Sequence, residues 1–147
     1  MISKSYLVES DNNFFTKDGS ILFYGENVGL KKEFKQKIKS LNHNTFFLNL
    51  DQDEIVKKKS VLENEITNAS LFDEKKIIFV NQASDKIFEL MNEILEVETN
   101  NRIILFAEIL DKKSKLRNLY EKSKKYQTVA CYADNALTIK NIILKKL

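Results

Sequence analysis

The sequence predicts an α/β fold, a three-layer sandwich with helices on both faces of a five-stranded, mostly parallel sheet. Short runs of large apolar residues, each long enough for one buried strand, recur along the chain. Longer stretches with apolar residues at helical spacing separate these runs. Strands that are apolar throughout need cover on both faces, which the helical crossovers between parallel strands provide. Proline is absent and glycine is rare, so residues 1–147 are expected to form a single domain.

The predicted elements alternate regularly from residue 21 onward. Five runs have the composition of buried strands, and they cover residues 21–24, 46–50, 77–80, 103–107 and 128–132. Five helices with a period of about 3.6 residues follow the strands in turn, over 30–41, 53–69, 84–95, 114–125 and 135–147. Ser84 has the side chain of an N-cap residue, and Asp85 suits the first turn of the same helix. Residues 1–20 show no pattern that identifies an element.

Composition disfavours several classes of protein. The single cysteine, Cys131, cannot form an internal disulfide and is typical of a reducing compartment, so a cytoplasmic location is expected. No apolar run approaches the roughly 20 residues that span a bilayer, so no membrane partner is expected. Cys131 and the single His43 cannot supply a usual zinc site, and no cofactor is expected. The net charge of +3 is spread among interspersed acidic and basic residues, unlike the basic surface of a dedicated nucleic-acid binder.

The loop after the first predicted strand lies where a phosphate-binding loop would lie. A P-loop has four residues between its glycines, followed by Lys and then Ser or Thr. Here three residues separate Gly25 from Gly29, Leu30 follows, and Glu26 would repel a phosphate. We interpret Gly25, Glu26, Asn27 and Gly29 as a degenerate phosphate loop, in which two glycines shape a turn and the start of a helix.

Catalytic groups are also missing at the other predicted strand ends. The third strand is followed by Asn81, where a nucleotide hydrolase would carry a magnesium-binding carboxylate. A receiver domain would need a phospho-acceptor Asp at the same place, which disfavours that alternative too. No nucleophile has a base near it in the sequence, and loop, core or turn roles suit the isolated polar residues His43, Cys131, Asp111 and Asp134. The chain is therefore predicted not to be an enzyme by itself.

Ser70, Leu71 and Phe72 form the most informative segment of the chain. Extending the helix predicted over 53–69 would place Leu71 about 160° and Phe72 about 100° away from Ile55 on its apolar face. Charged residues follow at once, before the third strand. An exposed, adjacent Leu and Phe would fit an apolar pocket on a partner protein. Alternatively, the helix ends early and the pair folds back over the core.

Three segments resemble the N-terminal domain of the delta subunit of the bacterial DNA polymerase III clamp loader. They are residues 22–27 with Leu30 behind them, 70–78 and 110–117, and their order and spacing also fit. The similarity covers nearly the whole chain. It implies an AAA+ type fold, related to P-loop ATPases, that neither binds nor hydrolyses ATP. Full subunits of the family are longer, so the chain is expected to be an N-terminal fragment of such a subunit.

The resemblance also implies a function in DNA replication. A delta subunit binds the ring-shaped sliding clamp, the beta subunit, and opens one interface of the ring. By this resemblance Leu71 and Phe72 are the plug that enters an apolar clamp pocket, and Ser70 begins it. A further helix surface that could press on the clamp comprises Glu63, Thr67 and Asn68. The implied partners are the clamp and the other clamp-loader subunits, with DNA contacted indirectly through the complex.

Two alternatives stay open at this point. A nucleotide-binding enzyme with an unusual loop would bind ATP or GTP at residues 25–32. A generic protein-interaction module on the same fold would use Leu71 and Phe72 on a different protein.

Overall fold

The computed structural model describes residues 2–4, 19–67, 75–96, 101–123 and 125–132. These residues form six strands, which are β1 (Ile2–Lys4), β2 (Ile21–Tyr24), β3 (Thr45–Asp51), β4 (Lys75–Ala83), β5 (Arg102–Ala107) and β6 (Gln127–Ala130). The α-helices of the same residues are α1 (Val28–Leu41), α2 (Gln52–Lys57), α3 (Ser60–Thr67), α4 (Phe88–Ile94) and α5 (Lys115–Lys122). A 3-10 turn, Asp85–Ile87, leads into α4.

The described strands form one parallel sheet in the order β1-β6-β2-β5-β4-β3. Ile21 pairs with Ile104 on one side and with Gln127 on the other, so β2 is a central strand. Numbered among themselves, the five predicted strands lie in the order 5-1-4-3-2, whereas a flavodoxin-like sheet, the type found in receiver domains, has the order 2-1-3-4-5. The predicted α/β class, a parallel sheet with helices on both faces, is confirmed.

Two apolar cores lie on opposite faces of the sheet. Side chains alternate along each strand, so Leu22 and Tyr24 face the larger core while Ile21 and Phe23 face the smaller one. Helices α2 to α5 and the 3-10 turn pack on the larger core, and α1 packs on the smaller core through residues such as Phe34. Among the described helices, none combines the length and the apolar character needed to cross a membrane.

The structure departs from the predicted elements in two places. A sixth strand, β1, pairs with β6 at one side of the sheet, although residues 1–20 show no sequence pattern for it. The helix predicted over 53–69 is two helices, because Lys58 takes an extended conformation that ends α2. Apolar spacing cannot reveal this break, since Ile55 and Leu62 are both buried on the same side with or without it.

The other predicted elements of the described residues are present, with ends that differ by a few residues. Ser84 accepts a hydrogen bond from the backbone N–H of Lys86 and caps the 3-10 turn, as expected of an N-cap residue. The helix predicted over 135–147 lies outside the described residues.

Candidate functional site

The loop after β2 is closed against the ends of the two neighbouring strands. The backbone N–H of Gly25 donates to the carbonyl of Glu108 at 2.9 Å, and the backbone N–H of Asn27 donates to the carbonyl of Cys131 at 2.9 Å. Gly25 has φ +122°, and a Cβ atom built on it would lie 2.1 Å from the Cys131 carbonyl oxygen. Any side chain at position 25 would therefore collide with the backbone beyond β6, which explains this glycine as part of the turn.

Asn27 caps the start of α1. Its Oδ1 atom accepts from the backbone N–H of Leu30 at 3.0 Å, and its Nδ2 atom donates to the carbonyl of Tyr132 at 3.3 Å. A phosphate-binding loop turns such backbone N–H groups toward its ligand. In this loop the N–H groups of Gly25, Asn27 and Leu30 are instead engaged within the chain.

Lys31 ties the loop to the sheet. Its Nζ atom donates to the carbonyl of Gly25 at 2.8 Å and to the carbonyl of Ala107 at 2.9 Å, so it links the ends of β2 and β5. Burial lowers the pKa of the Lys31 amine, although Cys131 and Glu108 act in the opposite direction. The amine of a P-loop lysine binds phosphate, whereas the Lys31 amine donates hydrogen bonds to two backbone carbonyls.

A cleft of about 340 Å³ lies beside α1, next to the residues that end β4 and β5. In it the Lys35 Nζ atom donates to Oδ1 of Asn49 and, at 3.4 Å, to Oδ1 of Asn81. The same nitrogen lies 5.0 Å from the centre of the Phe79 ring, and burial lowers the pKa of Lys35. Asn81 therefore faces a lysine, where a nucleotide hydrolase would place a carboxylate and a metal ion. In the part of the chain that the structure describes, no three His, Cys, Asp or Glu side chains are grouped as metal ligands.

The other polar residues singled out in the sequence lie apart from one another. Cys131 is buried just beyond β6, and His43 lies in the exposed turn between α1 and β3. Asp111 accepts a hydrogen bond from the backbone N–H of Lys113 at 2.8 Å and shapes a turn. Asp134 lies outside the described residues.

Segment 110–117 builds the start of α5. The Ser114 Oγ atom caps this helix by accepting from the backbone N–H of Arg117 at 3.2 Å. Asp85 adds a second cap from the 3-10 turn, because its carboxylate accepts from Ser114 Oγ at 2.5 Å and from the N–H groups of Leu116 and Lys115 at 3.2 and 3.1 Å. Burial alone would raise the pKa of Asp85, but these hydrogen bonds outweigh it and hold the pKa below its ordinary value.

The clamp-binding residues predicted from the resemblance, Ser70, Leu71 and Phe72, lie outside the described residues, as does Asn68. Of the further helix surface, Glu63 is exposed on α3 and Thr67 is the last residue of that helix. The described residues that flank segment 68–74 are the end of α3, at Thr67, and the start of β4, at Lys75.

Sequence reasoning missed Asn101, which bonds to both flanks of this segment. Its Oδ1 atom accepts from the backbone N–H of Lys76 at 3.2 Å. Its Nδ2 atom donates to the carbonyls of Glu65 and Ile66 at 3.3 and 3.1 Å. The sequence carries no signal for this role, because Asn101 is distant along the chain from both flanks.

The chain was compared with family models, curated proteins and solved structures. No family model matches the chain, and no curated protein matches it. Among solved structures, a chain in the structure of Drosophila ORC bound to DNA matches with a TM-score of 0.48 and 13% sequence identity. That match covers 88% of this chain and 41% of the ORC chain, so this chain spans less than half of the protein it matches.

Proposed function

We propose that this chain is a delta-type clamp-loader domain, which binds the DNA polymerase sliding clamp through Leu71 and Phe72 and helps to open the ring during replication. The proposal rests on the resemblance in segments 22–27, 70–78 and 110–117. The observation that best supports it is the use of the apolar face of α3. Leu62 and Ile66 on that face are buried in the core. The helical spacing that brings these two residues together would not bring Leu71 and Phe72 to the same face.

The energetics of a two-residue plug suit this role. Burying a Leu or Phe side chain fully contributes roughly 1.5–3 kcal/mol. Two adjacent anchors of this kind make a hot spot, around which the neighbouring charged residues would form a polar rim. Opening the ring additionally requires that the open clamp bind better than the closed one.

The domain is proposed to act without its own nucleotide chemistry. In its loop the N–H groups of Gly25, Asn27 and Leu30 and the Lys31 amine are engaged internally, which disfavours the nucleotide-binding alternative. ATP would then act through the other clamp-loader subunits, and DNA would be reached through the complex.

The decisive experiment is binding to the sliding clamp of the same source, measured by calorimetry. We expect micromolar or tighter binding for the wild type and a loss of about 2 kcal/mol or more, roughly thirtyfold in Kd, for Leu71→Ala/Phe72→Ala. The matched control is Val28→Ala/Ile109→Ala, which removes exposed apolar side chains that follow the carboxyl ends of β2 and β5. It should bind like the wild type.

Failure of the folded wild type to bind the clamp would overturn the proposal. A double variant that unfolds would show that Leu71 and Phe72 belong to the core instead. Clamp binding that survives Leu71→Ala/Phe72→Ala in a folded protein would place the contact elsewhere.

A further inference from the structure

The strand β3 has one edge that pairs with β4 and a second edge that faces away from it. Its seven residues, Thr45–Asp51, pair with β4 without a register shift. Among the described strands no other pairs with β3, and no described loop forms a backbone hydrogen bond with it. The backbone groups of a strand that do not bond to one neighbour point toward its opposite edge. The outer edge of β3 therefore offers N–H and C=O groups to a further strand.

This outer edge lacks the features that usually keep edge strands from pairing. Protected edge strands are short, carry lysine or proline, or contain a bulge. β3 contains no lysine, arginine or proline, and Asp51, at its end, is its one charged residue. It also carries Phe46, which is 51% exposed. By contrast β1, the last strand on the other side of the described sheet, has only three residues.

We infer that two copies of this chain pair through β3, antiparallel about a twofold axis at Leu48, and so form one continuous sheet. In this register Phe46 of each copy lies opposite Leu50 of the other, and the two Leu48 residues lie opposite each other. Leu48 and Leu50 belong to the face of the larger core, and Phe46 lies on the same face by alternation. The pair therefore aligns a row made only of apolar side chains, which stabilises an antiparallel pair.

The other face of β3 is also compatible with this pairing. There Phe47 lies opposite Asn49 and Thr45 lies opposite Asp51, so no two like charges meet. The register is the one in which each of the seven residues has an opposite β3 residue. Moving the axis to Phe47 or to Asn49 would leave two β3 residues of each copy without one.

A second copy is the occupant that this self-complementarity favours. Both copies contribute the same surface to a twofold contact, so the pairing uses up both β3 edges and stops at two chains. The contact is only seven residues long, so we expect it to be half-complete at roughly tens of micromolar protein, with the chain monomeric at a few micromolar. The inference is independent of the proposed function, because β3 carries none of the residues assigned to the clamp.

The first test is sedimentation equilibrium of the 147-residue chain between about 1 and 300 μM protein. We expect the mass to rise from that of one chain toward that of two. Phe46→Lys should weaken this association at least tenfold, because it places a charge in the apolar row and on the edge itself. The matched control is Ile109→Lys, which changes a side chain that is 64% exposed but follows β5, two strands away from β3. It should associate like the wild type.

The second test locates the twofold axis by disulfide cross-linking. Leu48→Cys places the two new thiols directly opposite each other, within the distance that a disulfide spans. We expect this variant to become a covalent dimer under mild oxidation. The control is Thr45→Cys, whose two copies lie six residues apart along the pair, about 20 Å, and should not cross-link. The wild type, with its buried Cys131, gives the background.

Each result decides the inference. A wild type that keeps the mass of one chain at every concentration would overturn it, and would leave the edge to an extended peptide of another protein. A dimer that Phe46→Lys does not weaken, or in which Thr45→Cys cross-links as fast as Leu48→Cys, would overturn it as well. Circular dichroism checks that Phe46→Lys is folded, and if it is not, the two cysteine variants still give the answer.

Discussion

At the scale of single residues, two glycines in the same loop differ sharply in what they do. Gly25 combines a positive φ with a backbone neighbour that leaves no room for a Cβ atom. Gly29 lies in α1, and a Cβ atom there would meet Oδ1 of Asn27 at an ordinary 3.7 Å. The loop after β2 thus has one glycine that steric constraints require and one that they do not.

This difference predicts opposite effects of the same substitution. Gly25→Ala should lower the free energy of unfolding by more than about 2 kcal/mol, because strain and backbone overlap add together. Gly29→Ala should raise it by up to about 1 kcal/mol, since alanine is the better helix former. Urea titration followed by circular dichroism measures both. Equal effects of the two substitutions would contradict the steric account of Gly25.

Asp85 is a residue whose charge has a structural use. Its lowered pKa means that the folded state prefers the ionised carboxylate. Such a group contributes stability that is present above its unfolded pKa of about 4 and is lost as the pH falls through the lower, folded pKa. Because the residue is exposed, solvent screens the charge and the contribution stays modest.

We therefore expect Asp85→Asn to destabilise the protein by about 1 kcal/mol at pH 7, by weakening the second cap of α5. The difference from the wild type should shrink as the pH is lowered from 5 to 3, which urea titrations at each pH would measure. Glu93→Gln, which alters an exposed carboxyl on α4, is the control and should show no such convergence. A wild-type advantage that does not shrink at all between pH 5 and pH 3 would exclude the ionised cap.

At the scale of elements, β3 shows how one strand divides its side chains between core and solvent. It is the last strand in the sheet order and pairs with β4 alone among the described strands. Phe46 is 51% exposed, whereas the adjacent Phe47 packs on the smaller core and its ring centre lies 5.9 Å from that of Phe79. Adjacent strand residues point to opposite faces of the sheet, so Phe46 and Phe47 contribute unequally to the stability of the fold.

The two phenylalanines make a matched pair for measurement. Phe47→Ala should cost about 2 kcal/mol, less than a fully buried Phe because the side chain is only half-buried. Phe46→Ala should stay within about 0.5 kcal/mol of the wild type. Comparing the unfolding free energies of the two variants tests the assigned faces. A larger loss for Phe46→Ala would mean that its side chain is covered in solution.

Elements whose evidence is local were predictable from the sequence. The apolar runs at 21–24 and 103–107 are central strands, and the spacing of Ile55, Leu62 and Ile66 identifies a buried helical face. β1 was missed because three residues carry too little periodicity, and what makes them a strand is pairing with residues 128–130. Pairing of this kind is a property of the folded chain rather than of the segment.

In the candidate site, too, local features could be predicted from the sequence, whereas contacts between distant segments could not. The loop at Gly25 was placed correctly after the first predicted strand, since turn residues directly follow an apolar run. The bonds that Asn101, Asp85 and Lys31 make were not predictable, because each joins elements that are distant in sequence. The role of Leu71 and Phe72 stays a prediction, as both lie outside the described residues.

At the scale of the whole molecule, a parallel sheet with helices on both faces carries, after β2, a loop that internal hydrogen bonds close. We expect millimolar Mg-ATP to leave the melting temperature unchanged within about 1 °C. A ligand present at 100 times its Kd would add about 2.7 kcal/mol and raise Tm by several degrees. Sodium sulfate at matched ionic strength is the control. A saturable rise in melting temperature with ATP, larger than that with sulfate, would support the nucleotide-binding alternative.

The sheet order also has a consequence for synthesis of the protein. β6 stands between β1 and β2, so Ile2 pairs with Thr128 and Ile21 pairs with Gln127. A ribosome adding about 5–20 residues per second needs roughly ten seconds to pass from the first two strands to the one that joins them. Throughout that interval the edges of β1 and β2 that pair with β6 have no partner strand. Closure of this side of the sheet is therefore a late event, and the growing chain is exposed to aggregation or chaperone capture until residue 130 is free to fold.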